Sequence, residues 1–224
     1  MTRPSLLFCV ATCSCLIVTL SIAIAAQGEN IEVKPTGVYA EIDTRLANET
    51  VEALAGAEQA KREATIAAIK AHPEKYAPAV FYVLSHVLFG QGEKEEAAFW
   101  FYAGQVRARF DANRCAEVSA RQAVAALNQQ FGGPINQYTI QDIPKLEALI
   151  ERVLAWDRET PHSYDHRWIN LYGMGVFLAA QDPERPTKPL SLPADQWDEI
   201  EEKTRQEYLE GFRHAMHQMG TTRD

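Results

Sequence analysis

His162 and His166 stand four residues apart, with Asp165 beside the second. On a helix that spacing places both imidazoles on one face, as a zinc site requires. The segment follows Thr160-Pro161 and begins in a turn, no third ligand sits at a telling distance, and the glutamate-containing zinc-protease pattern is absent. His162, Asp165 and His166 are therefore weak metal candidates beside the plainer reading of capping or surface histidines. His214 and His217, three apart near the C-terminus, invite the same pair of readings. Cys115 falls where a helix is expected to begin, and a helix dipole there would lower its pKa. It has no evident base partner, and a lone cysteine reads as a small buried residue. Neither Gly-x-Ser-x-Gly nor a Gly-rich phosphate loop occurs. These residues predict no cofactor and favour no catalytic role. A metal-assisted hydrolase using His162, Asp165 and His166 stands as the rival expectation.

The second constellation is aromatic. Phe99, Trp100, Phe101 and Tyr102 are consecutive and follow Glu95-Glu96. Four successive rings on a helix point in every direction, whereas a surface helix needs an apolar stripe only about 100° wide. Either this helix is surrounded, or one or two rings face outward as anchors. Trp and Tyr dominate interface hot spots, so Trp100 and Tyr102, flanked by Phe99, Glu95 and Glu96, are the expected partner-binding residues in the second case.

The remaining chain must position these groups. It has 224 residues, 46% hydrophobic and 23% charged, with 22 Lys+Arg against 30 Asp+Glu. That is enough for one domain with a real core, and it excludes disordered and Gly/Pro-rich classes. A formal net charge of −8 excludes sequence-independent binding to nucleic acid or an anionic membrane. It suits a partner with a basic surface.

Residues 1–26 carry one charge, Arg3, then an apolar stretch and a small-residue end (Ala23, Ala25, Ala26), which is the composition of a cleaved secretory signal. The alternative is an uncleaved anchor over residues 6–26, just long enough to span a bilayer. Cleavage removes Cys9, Cys13 and Cys15 and leaves only Cys115, so no intramolecular disulfide can form. An exported domain of this size without bridges suits the periplasm.

Beyond the leader, residues 27–47 read as a linker or extended arm and 48–219 as a helical domain, with a disordered tail at 220–224. Helices are expected over 48–71, 79–89, 93–109 and 112–130, the last stopped by Gly132-Gly133-Pro134. Asn48, also the acceptor of an Asn-x-Thr triplet, and Asp111 are the expected caps of the first and fourth. Asp142 caps a fifth, whose Ile143, Leu146, Leu149, Ile150, Val153 and Leu154 form one stripe. Further helices cover 167–180 and, after Pro193, run to about 219. No segment alternates at strand period. The class is all-α, with about six to seven helices in a compact bundle or a short repeat-like array.

Tyr76 to Gly90, a Gln-Gly turn and Glu95 to Ala103 make a helical hairpin. Its second helix carries Glu96-Ala97-Ala98-Phe99-Trp100-Phe101-Tyr102. Over about residues 77–108 this resembles a single tetratricopeptide or Sel1-like repeat unit. The chain holds no second in-phase copy, which favours one repeat-like hairpin in a compact domain. The resemblance implies protein recognition, and with an export signal it implies an immunity or inhibitor-type protein that neutralises a periplasmic toxin or hydrolase. An uncleaved leader would make the chain a membrane-tethered accessory subunit instead.

Overall fold

The computed structural model describes residues 33–182 and 188–221. The leader, the start of the expected arm and the last three residues lie outside the described residues. The described chain is all-α. Its helices are α1 (Arg45–Ala55), α2 (Gln59–Ala71), α3 (Pro78–Gly90), α4 (Lys94–Arg114), α5 (Gln122–Thr139), α6 (Ile143–Glu159), α7 (Met174–Gln181) and α8 (Trp197–Thr221). A seven-residue 3₁₀ segment, His166–Tyr172, is a ninth helical element, so the described residues hold more helices than the six to seven expected.

One cause of the higher count is a break at Gly56. The single helix expected over 48–71 ends at Ala55, where Gly56 is extended (ψ 162°) and the Arg62 guanidinium donates to the carbonyls of Leu54 and Gly56. Those contacts satisfy oxygens that a helix end leaves open. Asn48 is not the cap, because α1 starts at Arg45, whose backbone N–H donates to the Asp43 carboxylate (3.1 Å). The expected arm is partly docked: Tyr39 and Ile42 are buried against Leu171, Val176 and Ala179, forming a small second core beneath α7.

The main core is organised around α4. After the Gly92 turn (φ +90°) α4 returns along α3, and α5, α6 and α8 also pack on α4. Buried on α4 are Ala97, Ala98, Trp100, Phe101, Tyr102, Ala103, Val106, Ala108, Phe110 and Ala112, a set that covers every side of the helix. The four-ring run thus belongs to a surrounded helix. α4 runs on to Arg114, through the position where Asp111 was expected to cap a new helix. The Asp111 carboxylate accepts hydrogen bonds from Arg114, Tyr164 and Trp168, so it is engaged laterally and the helix continues.

α5 also runs through its expected stop, Gly132-Gly133-Pro134. A Cβ on Gly132 would lie 3.0 Å from Phe101 Cζ, so the glycine lets α5 approach the core ring that anchors it. Packing against Phe101 outweighs the weak local propensity. α6 begins as expected, with Asp142 Oδ1 accepting from the Lys145 N–H (3.1 Å) and Leu146, Ile150, Val153 and Leu154 buried. The 167–180 helix is instead the 3₁₀ segment followed by α7, divided at Gly173. A Cβ on the nearby Gly175 would lie 2.0 Å from Tyr39 Oη and 2.6 Å from the Glu117 carboxylate.

Candidate functional site

The polar side of α4 carries Arg107, Asp111 and Arg114 at i, i+4 and i+7, all buried. Arg107 is fully buried. Its Nε donates to Asp157 Oδ1 (3.0 Å), its Nη2 donates to the Thr160 carbonyl (2.7 Å), and its guanidinium lies 4.5 Å from the Trp156 ring. Asp157 Oδ2 accepts from Arg205 Nε (3.0 Å) on α8, and His162 Nε2 stands 3.2 Å from Asp157 Oδ1. Burial alone would raise the Asp157 carboxyl. The hydrogen bond from His162 and the charges of Arg107 and Arg205 outweigh that and hold it below the ordinary carboxylate range.

Among the described residues, the group with ligand atoms close enough for one metal ion is Asp157, His162 and Glu201, all within 4.8 Å. It differs from the expected triad. Two guanidiniums already face it, since Arg205 binds both Asp157 and Glu201 and Arg107 binds Asp157. A divalent cation would displace or oppose both, so the donor set fits an ionic clasp better than a metal centre. Asp165 accepts from the Asp43 and Arg167 N–H groups and from the Arg167 guanidinium, while His166 Nε2 pairs with Ser191 Oγ (2.7 Å) and its ring meets Trp197. His162, Asp165 and His166 therefore serve three separate contacts. Burial, with the Arg114 charge, pulls the His166 imidazole down. His214 and His217 lie on the exposed side of α8.

The expected anchors divide. Trp100 and Tyr102 are only 5% and 6% exposed, which corrects their assignment as surface rings. Trp100 packs on Phe81, Phe99 and Trp156 at centroid distances of 5.1–5.6 Å. The Tyr102 hydroxyl pairs with Thr139 and donates to Asn136. Phe99 is half-buried under the Arg152 guanidinium (4.9 Å). Glu96 binds Lys70 (2.7 Å), and Glu95 is exposed and binds Lys145.

Glu95, Lys145 and Arg152 border an open groove of about 370 Å³ between the start of α4, the end of α5 and the start of α6. Its floor is Ala98, Leu146 and Leu149, and Tyr138 walls one end beside the Lys94 ammonium. Apolar footing with a charged rim is the form of a side-chain recognition groove.

Cys115 does not open a helix. It follows α4, is 2% exposed, and donates to Asn170 Oδ1 (3.2 Å). Burial pushes its thiol up, which is the opposite of an activated nucleophile. No family model, curated protein or solved structure matches the chain. Among the described residues, no helix is long and apolar enough to cross a membrane.

Proposed function

We propose that this chain is an exported, non-catalytic helical protein-binding module, of the immunity or inhibitor type that neutralises a periplasmic toxin or hydrolase. Its helices are taken as a compact bundle built on one hairpin of the tetratricopeptide or Sel1-like kind, α3 with α4. The observation that carries the reading is the α4–α5–α6 groove, where an apolar floor meets an exposed carboxylate, Glu95, already suspected from the sequence. The occupant is a segment of a partner protein that seats an apolar side chain on Leu146 and Leu149 and sets basic residues beside Glu95 and Asp142. The acidic balance supports a basic partner: the net charge is −8, or −9 for the chain without its leader (21 Lys+Arg against 30 Asp+Glu).

The test starts from chains captured out of a periplasmic extract, purified, and titrated back onto the wild-type, Glu95→Arg and Leu149→Gln proteins. Rim-charge reversal should weaken rebinding about tenfold or more, with steep salt dependence and an unchanged melting curve. Equal affinity for wild type and both variants, or no chain that rebinds once purified, overturns the proposal.

A further inference from the structure

Among the described arginines, most are held by carboxylates or carbonyls. The guanidiniums of Arg109, Arg121 and Arg152 have no ion pair or hydrogen bond to a described residue. Arg152 lies over Phe99 at the groove already described. The other two, from α4 and the 3₁₀ turn Val118–Arg121, border one pocket of about 350 Å³ between α4, α5 and α8. In a chain with eight more acidic than basic residues, two uncommitted guanidiniums on one concavity are not a general surface property.

The pocket holds a third donor, and its orientation is set from inside the core. Tyr208 donates to Gln105 Oε1 (2.6 Å), Gln105 Nε2 donates to Asn128 Oδ1 (2.9 Å), and the Tyr82 hydroxyl donates to the same oxygen (2.7 Å). Tyr208, Gln105 and Tyr82 are all buried. Two donors on Asn128 Oδ1 fix which side of the amide faces inward, so Nδ2 is left to the pocket, and it has no acceptor among the described residues. The same Tyr208 ring, pinned through its hydroxyl, carries the Arg109 guanidinium 5.0 Å from its centroid. Stacking on a ring leaves the N–H edge of a guanidinium available for bidentate pairing. Gln105 thus positions both the platform beneath Arg109 and the Asn128 amide. Glu207, also on the rim, is drawn toward Lys203 (3.8 Å).

We propose that this pocket is an oxyanion site, taking the phosphate or carboxylate group of a small ligand between Arg109 and Arg121 with Asn128 Nδ2 as the third donor. The donors suit planar or tetrahedral oxygens, and the volume lies at the small end of ligand pockets. The site is separate from the α4–α5–α6 groove and does not depend on a protein partner.

The test uses the leaderless chain at low ionic strength, titrated separately with inorganic phosphate and with succinate. Calorimetry and the Asn128 side-chain amide resonances report binding. Saturable binding with movement of those resonances is expected, weakened about tenfold or more by Arg109→Gln or Arg121→Gln and unchanged by Lys61→Gln on the exposed face of α2. Saturation by phosphate alone assigns a phosphorylated ligand, by succinate alone a carboxylate ligand, and by both a general oxyanion site. Because Arg121 is exposed, its variant separates binding from folding, and melting curves check Arg109→Gln. The proposal is overturned if neither anion saturates the protein, or if saturation survives in the Arg109→Gln, Arg121→Gln double variant.

Discussion

Replacing Asp157 with Asn tests the ionic clasp that joins α4, α6 and α8. The substitution keeps the shape of the side chain and removes the charge that faces Arg107 (0% exposed) and Arg205 (7%). Breaking a buried pair from one side leaves a desolvated cation uncompensated and costs about 3–5 kcal/mol. For a domain of this size, each kcal/mol lowers Tm by about 2–4 °C, so melting should fall by about 6–20 °C. The Arg158–Glu202 pair, whose side chains are about half exposed, is the internal control, and Arg158→Ala should cost at most about 1 kcal/mol. The assay is urea unfolding followed by circular dichroism, repeated from pH 7 down to pH 3. Asp157 is held below its ordinary pKa in the fold, so its stabilisation is complete above the ordinary carboxylate range and is lost as pH falls through the lowered folded value. The variant should lack that part of the acid-side decline. If Asp157→Asn costs no more than Arg158→Ala at pH 7, the clasp does not hold these helices together.

Trp100→Ala should destabilise the fold by about 3–5 kcal/mol, measured by urea unfolding, because it empties a site walled by Phe81, Phe99 and Trp156. Burial, then the Arg114 charge, outweighs the pull of the Asp111 and Asp165 carboxylates, so His166 resists a proton that the unfolded chain accepts. Wild-type stability should therefore start to drop as pH falls through the ordinary histidine value of 6.5, and His166→Gln should flatten that slope. Cys115 should resist a thiol reagent at pH 8 until urea opens the core, since it is buried and its pKa is raised. The mass of the exported chain should lack residues 1–26; an intact leader would favour the tethered form.

Local signals were legible wherever their partners are near in sequence. Asp142 bonds an N–H three residues on, and the Leu146 to Leu154 stripe follows helix period, so α6 stands where the pattern puts it. The Gly-containing turn between α3 and α4 is equally local. Asp111 misleads because its partners include Tyr164 and Trp168, more than fifty residues away, and no local rule distinguishes that engagement from a cap. Gly132 misleads in the same way, since its purpose is a ring on another helix. At the groove, Glu95 was visible as an acidic helix start, whereas Trp100 and Tyr102 are hidden by neighbours that only the tertiary fold supplies. The Arg107, Asp111, Arg114 spacing was the available clue to a buried polar stripe. A charged i, i+4, i+7 row on a helix otherwise filled with Ala, Phe, Trp and Tyr has no solvent face to occupy.

That row also bears on the order in which the molecule can close. Arg107 on α4 meets its counter-charge 50 residues later, at Asp157, and Arg205 joins the same carboxylate after 48 more. A chain delivered N-terminus first would hold a naked cation among aromatic rings until the first of those stretches brought Asp157, and the second guanidinium would close on that carboxylate only when α8 followed. Premature compaction around α4 is thereby penalised. The last helix serves as a latch as well as a wall.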